Sequence, residues 1–424
     1  MQGQGFYTVS PSVDYLRSLP YPYEGAIAIS SDIEYFDFEV FDALMKFLNT
    51  NKPTILGQGL GLEITSSIFF YSVDQSTFTY FADPIPNSKP SIWASPIHDY
   101  LRSGWIDTNH AYGNFDKIGG FTREYALSCY EVMDKLGVKL KVFTNHGSSQ
   151  NIQNIGADAS YHCGDLIDHC AYHADLLKQH GIEYIWTDSL VTQIKEPKLK
   201  TSFLQNIKNR VNKFIEPELS SKLYFDIDRL LDVIELQDQS QFQGFLRFRN
   251  TGANAPNLSS LSYQLNCIDW CQMYQNLGIS ILYQHLGVLS RNNGKCIPTS
   301  LKDLQSRPEV FLAPFYRLQQ EKQKGRLWVC GLYRCLNYVH TILNASKYIS
   351  KCETSESIQR YVISDHNFSG DPEIYFQGLT FYIDPTLPVE IIFKHNPLQL
   401  EYNGPDSTGK YSVTIPIQKL VDIW

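Results

Sequence analysis

Three short polar clusters in this chain have the residue types of a divalent metal site. Each cluster follows an apolar, strand-like run, and the clusters are Ser30–Glu34, Asp107–Phe115 and Asn145–Gly147. They contain Asp32, His110 and His146, respectively. In α/β folds the carboxyl ends of parallel strands meet at one edge, where ligands bind. One carboxylate and two imidazoles from such an edge are suitable ligands for a divalent metal ion such as zinc.

Length and pattern predict how the clusters are positioned. The 424 residues suit one large barrel plus an accessory domain. Residues 24–345 alternate β-rich runs with helix-period segments, which is typical of βα units. We predict strands at 25–30, 63–73, 105–108, 138–144, 182–186, 223–227, 245–248 and 279–283. We predict helices at 36–49, 92–103, 122–136, 165–180, 201–214, 258–276 and 308–323, and a strand followed by a last helix over 326–343.

The fold class predicted from this pattern is α/β, with a distorted (β/α) barrel over residues 1–345. The hydrophobic pattern of the sequence changes near residue 350. Short alternating segments at 360–363, 373–377, 379–383, 389–393 and 411–415 are separated by turn signals such as Asn403-Gly404-Pro405. We therefore predict a small antiparallel β domain over residues 346–424. The polar segment 147–164 is predicted to be a long loop, and such loops are often functional.

Composition excludes several classes of function. The formal net charge of −8 and the pI of about 5.8 give no basic surface for nucleic acid. No run approaches 18 apolar residues, so no membrane span is expected. Residues 1–5 lack the pattern of a signal peptide. The nine cysteines are scattered without a C-x-x-C pair and suit reduced thiols. We therefore expect a soluble, cytoplasmic protein.

The order of the motifs resembles the NodB-type polysaccharide deacetylases, which belong to a group of distorted (β/α) barrels. Ile29–Ile33 corresponds to the family's Thr-Phe-Asp-Asp-Gly motif, and His110–Asn114 to its His-Ser/Thr-x-x-His motif. Leu282–His285 resembles the closing Leu-x-His motif. The resemblance covers residues 24–290 through short motifs, and it implies that Asp32 and His110 bind the metal.

Two positions depart from the family's pattern. Ser31 stands where the family has its catalytic Asp, and Asn114 stands where it has the second metal-binding His. Asn114 remains a candidate ligand, but an amide oxygen binds metal weakly beside imidazole. His146 is therefore the candidate third ligand. Glu34 and Asp107 are the two candidates for the missing base.

The resemblance also implies a reaction and a substrate. A divalent ion, zinc by its ligand types, would assist hydrolysis of the amide bond of an N-acetylated sugar. His285 would protonate the leaving amine. Trp186 and Asp188, at a strand end, are candidates to bind the carbohydrate. Arg247 or Arg249 would take the place of the family's mid-chain Arg.

Two other functions fit the same residues. A glycosidase of the same barrel group needs two carboxylates about 5–5.5 Å apart for retention or about 6.5–9.5 Å apart for inversion. Asp32 with Asp188 or Glu34 would be the candidates. A carbohydrate-binding protein without catalysis is the other alternative. His169 and His173 are four apart on the predicted helix 165–180, where we expect a solvated or capping face rather than a metal site.

Overall fold

The main sheet has nine strands and curls into part of a barrel. The computed structural model describes residues 5–73, 76–115, 120–147, 150–157, 159–187, 230–234, 236–237, 246–248, 256–292, 295–355, 358–364 and 371–420. The strands of the sheet are β1 (Gly25–Ser31), β4 (Thr65–Ile68), β5 (Ile106–His110), β6 (Val142–Thr144), β7 (Tyr184–Trp186), β8 (Leu231–Val233), β9 (Leu246–Phe248), β10 (Ile279–Gln284) and β13 (Leu327–Val329).

Parallel pairing joins all of these strands except β8. The order of the strands is β10-β1-β4-β5-β6-β7-β9-β8, and β13 also pairs with β1. Strand β8 is antiparallel to β9. Within the described ranges no pairing between β8 and β10 closes the sheet. The molecule is therefore a mixed α/β fold around a curled, mainly parallel sheet, and a closed barrel is not confirmed.

Strand β1 pairs with three other strands of the sheet, and all seven of its residues are buried. One edge pairs with β10 over residues 26–31, and the other pairs with β13 at its start and β4 at its end. Because side chains alternate along a strand, Ile27 and Ile29 lie in one hydrophobic core and Ala26 and Ala28 in the other. Two buried faces explain why the run Gly25–Ile29 has no polar residue.

The helices largely follow the predicted apolar stripes. They are α1 (Phe38–Asn49), α2 (Ala94–Ser103), α3 (Arg123–Leu136), α4 (Ala174–Gln179), α5 (Leu261–Asn266), α6 (Trp270–Gln275), α7 (Leu301–Ser306), α8 (Pro308–Phe311), α9 (Ala313–Gln323), α10 (Leu332–Leu343), α11 (Ala345–Tyr348) and α12 (Pro372–Tyr375), with a 3₁₀ turn at Leu258–Ser260. Asp37 caps α1 by accepting from Glu39 N–H. Gly137 ends α3 with φ 66°, as its position predicts.

Two helix predictions are wrong in extent. The predicted helix 165–180 is helical only over Ala174–Gln179, because residues 163–172 form successive turns, such as His169 N–H to Leu166 C=O. The predicted helix 258–276 is two short helices, and Asp269 caps the second by accepting from Gln272 N–H. The predicted helix 201–214 and strand 223–227 lie outside the described residues.

The C-terminal residues form two small sheets. One has the order β14 (Ile349–Ser355), β15 (Ile358–Ile363), β17 (Val389–Phe393), β18 (Asn396–Pro397), and the other β16 (Thr380–Ile383), β20 (Tyr411–Thr414), β19 (Glu401–Asn403). The pairs are antiparallel except β15 with β17. The predicted strand 373–377 is wrong, because Asp371 and Pro372 start helix α12 there. Phe381 and Ile391 share a core with Leu336 of α10.

Two hairpins complete the secondary structure of the described residues: β2 (Pro53–Thr54) with β3 (Gly57–Gln58), and β11 (Val288–Asn292) with β12 (Lys295–Pro298). In the described ranges, no helix combines the length and apolarity needed to cross a lipid bilayer.

Candidate metal centre

Five side chains meet at the carboxyl edge of the main sheet. Asp32 and Glu34 follow β1, His110 ends β5, His146 follows β6, and His285 follows β10. The strand register causes this meeting, because Ser31 pairs with Gln284 and His110 pairs with Thr144. We call these five residues the histidine–carboxylate cluster. Three of the predicted metal ligands (Asp32, His110 and His146) and two of the predicted catalytic residues (Glu34 and His285) are in it.

The three imidazoles of the cluster converge on one oxygen of Glu34. Glu34 Oε1 lies 3.0 Å from His146 Nε2, 3.3 Å from His110 Nε2 and 3.9 Å from His285 Nε2. Asp32 Oδ2 lies 3.5 Å from His110 Nε2. Each histidine therefore presents the same ring nitrogen to the carboxylates.

These side chains have the right donors for a metal ion. The ligand atoms of Glu34, His110 and His146 lie within 4.8 Å of one another, and so do those of Asp32, Glu34 and His285. Imidazole nitrogen with carboxylate oxygen is a donor set that binds zinc and other divalent transition metals. The cluster could thus hold a metal ion.

For His285 and His110, the other ring nitrogen has a partner that orients a metal-binding histidine. His285 Nδ1 lies 2.9 Å from the carbonyl oxygen of Pro256. A carbonyl can only accept, so Nδ1 carries a proton and the neutral ring offers its Nε2 lone pair to the cluster. His110 Nδ1 lies 2.6 Å from Thr144 Oγ1, which can accept in the same way. Such contacts fix the ring and its tautomer in metal sites.

His146 is held by the polar segment that follows it. Asn154 Oδ1 accepts from His146 N–H, and Asn154 Nδ2 donates to His146 C=O. Asn151 Nδ2 lies 3.1 Å from His146 Nδ1 and donates to His146 C=O. Asn145 bonds both backbone groups of Ile155. The long loop predicted over 147–164 thus positions a cluster residue through its own buried amides.

Burial gives the cluster unusual electrostatics. Asp32 and His285 are 1% and 4% exposed, whereas the side chain of His146 is 16% exposed and forms the open side. Burial raises the pKa of Asp32. Burial alone would also raise the pKa of Glu34, but His110 and His146 beside it hold that pKa well below its usual range. Although burial opposes it, Asp32 and Glu34 raise the pKa of His110 to about 9. The buried carboxylates therefore favour a cation among them.

Ser31 and Gly287 tie the loop that carries Glu34 to the end of β10. Ser31 Oγ accepts from Leu286 N–H, so the residue at the position of the family's base has a structural contact here. A Cβ atom on Gly287 would lie 2.5 Å from Glu34 O and 2.8 Å from Phe36 N. The backbone of Glu34 thus needs a glycine opposite it.

We expect Gly287→Ala to weaken metal binding by about 10-fold or more, since the methyl group must displace the backbone that carries Glu34. Calorimetric titration with Zn²⁺ measures the change. Gly147→Ala is the matched control, because a Cβ beside His146 meets no described atom within 4 Å. Equal affinities of the two variants would contradict the role of Gly287.

Asp107 is not in the cluster. The structure therefore does not support the prediction that Asp107 acts as a base beside the metal. Asp107 precedes His110 by three residues, which is about 10 Å along a strand. Its Oδ2 accepts from Tyr333 N–H at the start of α10, and burial raises its pKa to about 6. The N–H groups of the two residues before Tyr333 are bound in the same way. Gly331 N–H donates to the Glu63 side chain, and Leu332 N–H donates to Thr65 Oγ1. Asp107 is therefore part of a helix cap.

Asn114, the other predicted ligand after β5, has a backbone partner in the structure. Its side-chain oxygen accepts from Val73 N–H at 2.8 Å. Residues Ala111 and Tyr112 have φ of 46° and 63°, so the chain leaves β5 in a turn rather than a helix. The i, i+4 spacing to His110 therefore does not bring the two side chains onto one face.

The predicted carbohydrate-binding residues are partly described. Trp186 ends β7 and is buried against Tyr283, with ring centroids 5.3 Å apart. Asp188 and Arg249 lie outside the described residues. Arg247 is in β9, but its side chain is not among those described.

Sequence reasoning missed Phe69 and Tyr283. Phe69 stacks on His110 with centroids 4.9 Å apart and planes at 3°, and it meets His146 edge-on. Tyr283 is partly exposed, and its hydroxyl lies 3.3 Å from His285 Nε2. Tyr283 was detectable by alternation, since it lies two residues before His285. Phe69 gave no signal within its apolar run.

His173 is structural. It precedes α4, is fully buried among the rings of Tyr112, Phe121 and Phe143, and its Nδ1 bonds Ala171 C=O. Of the expected solvated or capping face, the solvated alternative is wrong for His173, because aromatic residues enclose it, and the residue stands at the N-cap position of α4.

Burial lowers the pKa of His173 from 6.5 to about 4. The unfolded chain therefore binds the proton at a higher pH than the folded chain, and stability falls as the pH falls from about 6.5 to about 4. At about 1.4 kcal/mol per pKa unit the loss is about 3 kcal/mol. We expect urea unfolding of His173→Phe to show a smaller loss over this range. An unchanged pH dependence would contradict this assignment.

Comparisons of the chain with protein-family models, with curated proteins and with solved structures give no match. What the protein does must therefore be inferred from the geometry of the cluster.

Proposed function

We propose that the protein is a metal-dependent hydrolase, most specifically an N-deacetylase of carbohydrates built on a distorted (β/α) barrel. The observation that carries the proposal is the convergence of three histidine Nε2 atoms on Glu34 Oε1 at the carboxyl edge of the sheet. Hydrolases of this kind place their metal ligands at such an edge.

Glu34, His110 and His146 are the proposed ligands, and zinc is the proposed ion. This set includes the partly exposed His146, so it leaves a side of the ion open to solvent and substrate. When bound, the ion would polarise the amide carbonyl and lower the pKa of a water molecule. Three converging imidazoles support metal-assisted hydrolysis over a glycosidase mechanism that uses two carboxylates alone.

Asp32 and His285 are the proposed proton carriers. Asp32 Oδ2 lies 3.5 Å from His110 Nε2 and accepts no close hydrogen bond, so it can accept a proton from the attacking water. His285 can take a proton at Nε2 because its Nδ1–H is already bound by Pro256 C=O. It then gives this proton to the amine as the carbon–nitrogen bond breaks. The roles predicted for Asp32 and Glu34 are thus exchanged.

The carbohydrate substrate is supported by the aromatic residues beside the cluster and by the motif resemblance. Tyr283 is the partly exposed ring next to His285, and Trp186 packs behind it. An apolar ring beside a hydrolytic centre is a suitable surface for the face of a sugar.

The test is acetate release from N-acetylated oligosaccharides by the zinc-loaded full chain. We expect release that disappears on metal removal by a chelator and returns when Zn²⁺ is restored. Zinc-loaded, folded protein that releases acetate from none of a panel of N-acetylated sugars would contradict the deacetylase. Cleavage of a glycosidic bond in the same panel would favour the glycosidase instead.

A further inference from the structure

We propose that the cluster contains a second divalent-cation site, formed by Asp32, Glu34 and His285, which shares Glu34 with the first. Resting on the proposed function, we further infer that an ion in this second site blocks hydrolysis. Excess metal would thus inhibit the enzyme by binding at this second site.

The positions of the ligand atoms support two sites. Among the described residues, two sets of three side chains have their ligand atoms within 4.8 Å of one another, and Glu34 is the one residue that both sets contain. The three residues of the second set have relative exposures of 1%, 8% and 4%. Because a carboxylate has two oxygens, Glu34 can bind one cation through each.

Two carboxylate oxygens are left over for a second cation. Asp32 Oδ2 and Glu34 Oε2 are both buried and accept no close hydrogen bond, and the nearest histidine nitrogen to Asp32 Oδ2 is His110 Nε2 at 3.5 Å. A buried carboxylate oxygen without a donor carries a large desolvation cost. A cation between these two oxygens would remove that cost for both.

His285 is already prepared as a ligand for this site. Its Nδ1–H donates to Pro256 C=O, so the neutral ring has its lone pair at Nε2. That atom lies 3.9 Å from Glu34 Oε1 and 3.3 Å from Tyr283 Oη. A carbonyl partner on the second nitrogen is the usual environment of a metal-binding histidine.

Occupation of the second site has a definite chemical consequence. It would use the Asp32 oxygen that accepts the proton from water and the His285 nitrogen that carries the proton to the leaving amine. A second ion would therefore remove both proton carriers while leaving the first ion in place. Hydrolysis should rise and then fall as the ratio of metal to protein increases.

The experiment is a calorimetric titration of the metal-free full chain with Zn²⁺, and wild type should show two binding steps. His285→Ala should lose the second step and keep the first. His146→Ala removes a ligand and should weaken the first step by more than the about 10–100-fold that loss of an outer-shell partner costs, and it should keep the second step. His285→Asn replaces His285→Ala if circular dichroism shows that the alanine variant is unfolded.

A single step in folded wild type, or two steps that both survive in the His285 variants, would overturn the second site. Acetate release measured along the same titration then separates the two proposals. Two steps with inhibition at the second support both. Two steps with rising activity overturn the inhibitory role alone. Two steps without any hydrolysis support the site and contradict the proposed function.

Discussion

Glu34→Gln is expected to lose tightly bound zinc and all hydrolytic activity. Glu34 belongs to both sets of ligand atoms, and its Oε1 is the point on which three Nε2 atoms converge. The substitution keeps the shape of the side chain but replaces a charged oxygen with an amide, which is a weak ligand beside imidazole. We expect zinc affinity to fall by about 100-fold or more, measured by calorimetric titration.

Glu63→Gln is the matched control for this variant. Glu63 is another largely buried glutamate, and it contacts Gly331 N–H and Arg334 rather than the cluster. It should keep wild-type zinc affinity even if its stability changes. Zinc affinity of Glu34→Gln equal to that of Glu63→Gln would show that the cluster is not the metal site.

Asp32→Asn is expected to keep the first zinc ion and to lower kcat by about 10²–10⁴-fold. Asp32 is the proposed proton acceptor, and an amide cannot accept the proton from the attacking water. The first set of ligands does not include Asp32, so one zinc ion should still bind. Steady-state kinetics at saturating zinc, with the zinc content of the same sample, separates a loss of catalysis from a loss of metal.

Asp107→Asn tests the same chemical change at a partly buried aspartate outside the cluster. Its carboxylate accepts from Tyr333 N–H, and we expect kcat and zinc content near those of wild type. Loss of zinc from Asp32→Asn would return Asp32 to its predicted role as a ligand. A large loss of kcat in Asp107→Asn would reinstate it as the base.

The residues at the carboxyl edge of the sheet were predictable because the sequence pattern that marks them involves only neighbouring residues. An apolar run followed by Asp32, or by Asn145 and His146, marks the end of a buried parallel strand, and parallel ends meet by geometry. The helices α1 and α3 were predictable for the same reason, since a stripe of apolar residues with a cap needs only neighbouring residues.

The failures involve turns and long-range partners. Asn114 matched a motif by spacing, but the turn at Ala111 and Tyr112 directs it to Val73. Asp107 is a strand residue whose partner, Tyr333, is 226 positions away. The support of His285 by Pro256 and of His146 by Asn151 depends on loops that have no periodic pattern.

The central claim is that the histidine–carboxylate cluster binds the metal, and the zinc K-edge X-ray absorption spectrum of the loaded full chain tests it most directly. We predict only nitrogen and oxygen neighbours at about 2.0–2.1 Å, with the outer-shell scattering of at least two imidazoles. In the His110→Ala, His146→Ala double variant that scattering should fall to the level of one imidazole at most, because His285 is then the one histidine of the cluster that remains. A sulfur shell at about 2.3 Å, or a folded chain that retains no zinc, would contradict the claim.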